Sequence, residues 1–436
     1  MDPDYVFATY HASGDDLSAR EIEKQALKMV SDAGVGTWTE IDLARYGVEH
    51  SKTRRIHGAR LATLHASTGT IKIAFPLRNF EPEYGGIPFL LNTVAGDLLG
   101  SSDMNLRLVD LDLPKGFWEP FPGPNLGIQG LRELCRVPNR PLLAFSVKPR
   151  LGLPNEVFAK LCREALEGQG LGKAADIAED DTRLLSEEPQ SLSRIEEVRK
   201  VLDDLRGVYG TKLYSVNLTG RSDRVLERAK RSIDSGANAL KLDVLAAGFS
   251  ALQTVAEYVR QEHDGKIPIF VYPGMYALYE SSIDRKVLLR LSRLAGADIV
   301  YAGTPTEVGR LDAIRSAVDL TQYHAALLDD LYDHKPTMPS VAAGLHPGKV
   351  EFVKTVVGHN DFAYFVGGGI AGHPEGIKAG AALFAKAIDF FHVQEARGNG
   401  LFDNHDLVMM TQKGWQPEEV SDELRERVHN LGLLRQ

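Results

Sequence analysis

Two cationic side chains flank a proline in the run Val147-Lys148-Pro149-Arg150-Leu151-Gly152-Leu153. A lysine aimed into a desolvated pocket can lose its proton near neutrality and shuttle it, and paired cations stabilise charge that develops on a substrate oxygen. The same two residues also suit an ordinary surface loop. Further along, Glu179 and Asp181 stand two apart. In extended chain both point the same way, as a Mg²⁺ site requires, although an acidic loop without metal has the same spacing. Lys241 and Asp243 repeat that spacing and read either as a buried ion pair or as a functional one. Tyr272 and Tyr301 each end an apolar run, where a tyrosine packs its ring and either satisfies its hydroxyl internally or offers it to a ligand. Finally, Phe365-Val366-Gly367-Gly368-Gly369-Ile370-Ala371-Gly372-His373-Pro374 joins an apolar run to a helix-like segment through three glycines. Bare backbone N–H groups at a helix start suit a phosphate, and a plain glycine turn would look alike.

These residues matter together only if the chain carries them to one place. From residue 142 onward, strand-like and helix-like segments alternate eight times. The strands read as 142–147, 174–178, 212–217, 239–245, 267–272, 299–301, 340–343 and 362–366. Helical periodicity lies between them at 156–167, 193–209, 223–235, 251–262 and 284–294. Eight βα units over roughly 250 residues predict a closed (β/α)₈ barrel of parallel strands. An open doubly wound sheet is the alternative, but no G-x-G-x-x-G follows the first strand. In a barrel, catalytic groups stand beyond the C-terminal strand ends, and the loops after the last two strands hold phosphate. Every residue named above falls at such a position.

Residues 1–125 read as a separate α+β unit. A strand at 6–10 precedes a helix at 18–31, with Ser18 as its cap and Glu21 at the capping-box position. Thr37-Trp38 opens a further strand, and 59–66 with 70–76 make a hairpin around Ser67-Thr68-Gly69. A helix at 89–99 and a strand at 106–113 follow, and the turn-rich Phe121-Pro122-Gly123-Pro124-Asn125-Leu126-Gly127 serves as linker. The barrel domain then runs 126–436, ending in a tail with a helix at 417–434.

A chain of 436 residues with 43% hydrophobic and 25% charged residues suits a globular enzyme of one or two domains. The net charge of −9 argues against a nucleic-acid or anionic-membrane partner. Cys135 and Cys162 are the two cysteines in the sequence and point to a reducing compartment. The start Met1-Asp2-Pro3-Asp4 lacks a signal pattern and no apolar run reaches ~20 residues, so a cytoplasmic enzyme is expected.

Taken in order, these motifs resemble the large subunit of RuBisCO, and more closely its non-carboxylating RuBisCO-like (form IV) relatives, over about residues 1–395. The carrying residues are Gly36-Thr37-Trp38, Phe121-Pro122-Gly123-Pro124 with Gly127-Ile128, Lys148-Pro149-Arg150-Leu151-Gly152-Leu153, Asp180-Asp181, Gly303-Thr304, and Gly367-Gly368-Gly369 with Gly372-His373-Pro374. The resemblance implies an N-terminal α+β (ferredoxin-like) domain, a (β/α)₈ (TIM) barrel, and a homodimer in which one N-terminal domain completes the partner's site. It also shows departures. Carboxylases have a lysine carbamylated by CO₂ where this chain has Glu179, and a glutamate where it has Thr182; of three protein ligands only Asp181 is kept. The second lysine of Lys-Pro-Lys is Arg150, the mobile-loop lysine is Arg310, and two residues are inserted near 305–308. The partner-domain asparagine is Asp97, and Asp32 aligns with the acidic residue before Gly-Thr-Trp. Carboxylation of ribulose bisphosphate is not expected. Mg²⁺, if bound, would have Glu179 and Asp181 as ligands.

Groups resembling the first phosphate site remain: Thr37 and Trp38 from the partner, Gly344, Gly367 and Gly368. At the second, Pro273, Tyr301 and Ala342 replace the arginine and two polar partners, which removes its charge-assisted bonds. The resemblance therefore implies a substrate with one phosphate, its far end met by Tyr272, Tyr301 and apolar groups. The family's shared chemistry is an enolate or enediolate. Proton abstraction would need a base, which Glu179 would supply on a shorter arm; loss of CO₂ from a β-keto acid needs only charge stabilisation and then a proton donor. The expected function is a lyase decarboxylating a phosphorylated keto sugar acid in sugar catabolism. The alternatives are an isomerase or enolase of a monophosphorylated ketose, as in methionine salvage, and a non-catalytic phosphate-binding dimer.

Overall fold

The computed structural model of the chain describes residues 2–14, 18–36, 41–100, 104–170, 172–181, 188–303 and 310–394. Thr37, Trp38, Thr182, Thr304, the insertion at 305–308, the side chain of Arg310 and the tail helix lie outside the described residues.

The first strand, β1 (Tyr5–Ser13), buries Val6, Ala8, Tyr10 and Ala12 and turns the residues between them outward, the period of a one-sided sheet. It pairs antiparallel with β3 (Thr70–Pro76) and β4 (Asn105–Asp112), while β2 (Arg60–His65) covers the other edge of β3, so the order is β2-β3-β1-β4. The helices Ala19–Asp32 and Gly86–Ala95 follow β1 and β3, which gives the β-α-β-β-α-β arrangement of a ferredoxin-like domain. Ser18 and Glu21 form the expected capping box. The second helix begins three residues earlier than its periodicity predicts and stops at Ala95. Gly96 ends it, because a Cβ there would lie 2.4 Å from the Asn92 carbonyl oxygen, and Asp97–Gly100 is a separate short turn.

The second unit is the expected closed barrel of eight parallel strands. They are β5 (Leu142–Ser146), β6 (Ile177–Glu179), β7 (Leu213–Asn217), β8 (Ala239–Asp243), β9 (Ile269–Tyr272), β10 (Ile299–Gly303), β11 (Met338–Ala342) and β12 (Ala363–Val366). A helix follows each strand: Asn155–Glu167, Glu188–Tyr209, Ser222–Asp234, Phe249–Glu262, Arg285–Leu294, Arg310–Leu328, Val350–Val357 and Ile377–Asp389. Several boundaries shift from expectation, and two of the strand shifts have a visible cause. The segment expected as a strand at 174–178 is displaced to Ile177–Glu179, because Ala175 turns back to bond the Ala165 carbonyl of the preceding helix at 2.9 Å. The fourth strand stops at Asp243, whose carboxylate caps a short helix, Val244–Ala247, by accepting from Leu245 N–H.

Inward residues fill the barrel in layers. Leu142, Ala144, Ile177, Leu213, Ala239, Phe270, Ile299, Met338, Ala363 and Phe365 form one buried cluster, distinct from the larger core that includes the N-terminal domain and the barrel helices. Ile128, Leu131 and Cys135 join the inner cluster from the helix Gly127–Cys135, an element absent from the sequence reading. That helix plugs the N-terminal end of the barrel. Asp298 holds its start, accepting from Leu126 N–H at 2.7 Å and Gly127 N–H at 3.0 Å. With one end stoppered and the middle filled, polar side chains can enter only at the other end. The N-terminal sheet docks through β4, where Leu108 and the segment Ser282–Asp284 exchange two 2.8 Å backbone bonds. No helix among the described residues is long and apolar enough to cross a membrane.

Three histidines ring Phe362, with centroid distances of 6.0 Å for His324, 5.9 Å for His359 and 5.7 Å for His392. His359 accepts the Asp361 N–H on Nδ1, so its Nε2 carries the proton and donates to His324 Nδ1 at 3.0 Å. A proton added to His324 Nδ1 would face that N–H. Burial lowers all three, to about 3 for His324 and His392. His324 and His392 stay neutral in the folded protein and charge on unfolding below their ordinary value near 6.5. Their contribution to stability is thus complete above pH 6.5 and lost as pH falls toward 3. The expected cost at pH 5 is about 2 kcal/mol for each of His324 and His392. Urea unfolding at pH 7.5 and pH 5 checks this. His324→Gln should shrink the difference by one histidine's share, and an unchanged difference would contradict the assignment.

Candidate active site

The open end of the barrel gathers the charged residues of β5, β6 and β8. Ser146 and Glu179 lie in register on neighbouring strands, and the Ser146 hydroxyl donates to Glu179 Oε1. Lys241 reaches across from β8 to place Nζ 2.6 Å from Glu179 Oε2 and 3.0 Å from the Asp180 carbonyl. Both members of that ion pair are buried, at 6% and 4% side-chain exposure. One step nearer the mouth, Lys148 pairs with Asp181. Two lysine–carboxylate pairs therefore stand one above the other. Glu179, Asp181 and Lys241 border a cavity of about 130 Å³, lined also by Ser146, Tyr272, Tyr301 and Ser340, with Phe270, Ile299 and Phe365 as its apolar floor, and Lys148 adjoins it through Asp181.

Strand alternation splits the acidic run as its spacing predicts. Glu179 and Asp181 face the cavity, while Asp180 points away and is fully buried. There it accepts from the Tyr214 hydroxyl at 2.6 Å, Asn217 N–H at 3.0 Å and Arg194 at 3.3 Å. Burial pushes the Tyr214 hydroxyl well above its ordinary value, and Asp180 and Arg194 carry the charges of this network. Lys241 and Asp243 do not pair with each other. Asp243 accepts Gly274 N–H at 3.0 Å and Leu245 N–H at 3.2 Å, and burial raises its carboxyl above the usual range.

A divalent ion fits this donor set poorly. Glu179 is occupied on both oxygens by a hydroxyl and an ammonium, Asp181 is paired with Lys148, and no three ligating side chains converge among the described residues. Two carboxylates and two ammoniums already balance.

Tyr272 and Tyr301, named from the sequence, do lie together. The Tyr272 and Tyr301 rings lie 5.1 Å apart, with Tyr276 6.5 Å from Tyr301. Sequence reading missed Arg285, whose guanidinium stacks 3.9 Å over Tyr276 and 5.1 Å from the Tyr323 centroid while pairing with Glu280. It opens a helix rather than ending a strand, so position in the βα pattern did not single it out. Ser146, Ser340 and the Lys241–Glu179 contact were also missed, since no one-dimensional spacing links them. Arg150 is exposed on its loop and does not line the cavity; Asp97 is exposed on the chain's own N-terminal domain.

Beyond the end of β11, Gly344 has φ +62° directly after Ala343 at φ +67°. Two left-handed residues in succession, one with a Cβ, are a strained turn. A Cβ on Gly368 or Gly344 would meet nothing within 4 Å, so both backbones are open to a ligand. Gly367 differs: a Cβ there would sit 2.8 Å from Lys148 Cε and 3.3 Å from its Cγ. The glycine run thus seats the lysine as well as any phosphate. Gly367→Ala should lower kcat by displacing Lys148, by about tenfold or more, whereas Gly368→Ala should raise KM for a phosphorylated substrate. Steady-state kinetics separate the two; an effect of Gly367→Ala on KM alone would remove the link to Lys148.

Residues 4–117 match the ribulose bisphosphate carboxylase large chain N-terminal domain, and residues 127–401 match the catalytic domain of that chain. A 2,3-diketo-5-methylthiopentyl-1-phosphate enolase of Bacillus cereus is 34% identical over 402 residues, covering 88% of this chain and 92% of the relative. A ribulose bisphosphate carboxylase of Methanocaldococcus jannaschii is 29% identical over 413 residues, covering 88% and 94%. The crystal structure of a RuBisCO-like protein from Alicyclobacillus acidocaldarius superposes with a TM-score of 0.71 at 29% identity, over 91% of this chain and 97% of that one.

Proposed function

The chain belongs to the RuBisCO large-chain family, and from that premise we propose that it is a RuBisCO-like lyase. It would form an enolate from a monophosphorylated keto sugar acid by releasing CO₂, and would not fix CO₂. The carrying observation is that both cavity carboxylates are held by ammonium groups. A carboxylate tied to a lysine is poorly placed to remove a carbon-bound proton, whereas two fixed ammoniums suit charge that accumulates on oxygen as CO₂ leaves. Lys148, nearer the mouth and seated on Gly367, would then return a proton to the enolate carbon. The phosphate would rest against Gly344 and Gly368, with the carbon chain directed toward Tyr272 and Tyr301.

A second reading draws on the enolase relatives, 34% identical to this chain. On it, the site enolises a monophosphorylated ketose without loss of carbon. A panel of phosphorylated β-keto sugar acids and ketoses, followed by CO₂ release and by NMR in D₂O, decides between them. CO₂ release with one deuteron incorporated is the expected result. Deuterium exchange without CO₂ would establish the enolase, and neither signal would overturn both readings. We take the working unit to be a homodimer, since Asp97 is exposed on the N-terminal domain and its role requires a neighbouring subunit. Sedimentation as a monomer would remove that role.

A further inference from the structure

Lys241 occupies the place in this cavity that charge balance would otherwise give to a metal ion. Its ammonium carries three donors. Glu179 Oε2 takes one at 2.6 Å and the Asp180 carbonyl a second at 3.0 Å, while the residue is 5% exposed and lines the cavity. The carboxylate it binds is pinned from the other side by Ser146, so the ammonium cannot follow a swinging partner. Against Glu179 and Asp181, Lys241 and Lys148 bring the cavity to neutrality. A divalent ion would have to displace a buried ammonium from Glu179 and would leave the low-dielectric site with a net charge of about +2.

We propose that Lys241 is the resident cation of this site: its ammonium, held by Glu179, binds the oxygen on which enolate charge develops, and no divalent metal ion is needed there. This rests on reading the cavity as the enolate site. Glu179 then acts as a positioning residue for Lys241. That role suits a carboxylate already saturated by a hydroxyl and an ammonium better than base or ligand chemistry does. Lys148 and Lys241 divide the work by depth. The deeper one is fixed and neutralised by a buried partner, while Lys148, at 28% side-chain exposure, can exchange protons with solvent.

The test uses the full-length protein, Mn²⁺ as a paramagnetic probe and phosphoglycolate, a two-carbon phosphate with a planar carboxylate, as an enolate mimic. The wild type should leave the electron paramagnetic resonance spectrum of free Mn²⁺ unaltered and should bind phosphoglycolate calorimetrically in EDTA. Lys241→Met should weaken that binding by about tenfold or more. Because Lys241→Met strands a buried carboxylate, Lys241→Met/Glu179→Gln provides a charge-neutral second variant, with the same loss expected. Mn²⁺ uptake by the wild type that Glu179→Gln abolishes, phosphoglycolate binding that requires metal, or equal binding by wild type and variants would overturn the inference alone. Failure of the wild type to bind phosphoglycolate or inorganic phosphate under any condition would instead remove the phosphate-site reading, and the inference with it.

Discussion

Lys148→Met is expected to reduce turnover by about 10³-fold or more while leaving the protein folded. Methionine keeps most of the length of the side chain that lies over Gly367, so packing at the glycine run survives. What it removes is the ammonium opposite Asp181 and the protons that it carries. Asp181 is left without that partner but retains 13% exposure, and the loss of a partly solvated pair costs about 1 kcal/mol in stability. Activity and stability thus separate cleanly. A folded Lys148→Met with wild-type kcat would end the case for this residue, and loss of folding would move it from chemistry to structure. Under the decarboxylation reading, CO₂ release and proton return separate further. If Lys148 serves only to protonate the enolate, the variant should still release CO₂ slowly and lose the stereochemistry of deuterium incorporation.

Asp180→Ala should cost about 3–5 kcal/mol of stability. Asp180 is fully buried and serves three donors from two elements: Tyr214 and Asn217 on β7, and Arg194 on the helix Glu188–Tyr209. Alanine would leave a buried guanidinium, at 6% side-chain exposure, without its counter-ion. The Tyr214 hydroxyl and an N–H would also be left without acceptors. Asp180→Asn keeps an acceptor oxygen and removes the charge, so it should fall between the two. The site would feel the change as well, because Asp180 is the pivot between Glu179 and Asp181. Urea unfolding of the three proteins tests the ranking; a loss under 1 kcal/mol in Asp180→Ala would mean that Arg194 finds solvent or another anion.

The two carboxylates on either side of Asp180 show how far residue spacing reaches. Period-two alternation was enough to put Glu179 and Asp181 together and Asp180 elsewhere, since successive side chains on a strand oppose each other. The same rule paired Lys241 with Asp243 as a unit, and there it failed. Each is aimed as expected, but Lys241 is drawn to a carboxylate on another strand and Asp243 is consumed by backbone N–H groups at a helix start. Alternation specifies direction; it does not specify the partner waiting there.

Read alone, the chain determined its architecture, because that is written in repeated local signals. Eight apolar runs separated by amphipathic segments of helical length leave little besides a parallel barrel, and a capped helix between strands marks the N-terminal unit. It also determined which residues reach the barrel mouth, since strand ends and glycine runs are local. Tertiary structure decided what those residues do to one another. Residues 62 positions apart form the Glu179–Lys241 pair, and the helix plugging the closed end gave too short a periodic signal to be read. Gly367 proved to be the seat of Lys148 through a contact between the last strand and the first. Barrel closure makes these contacts, and closure depends on register and shear around all eight strands, quantities that no single stretch of sequence carries.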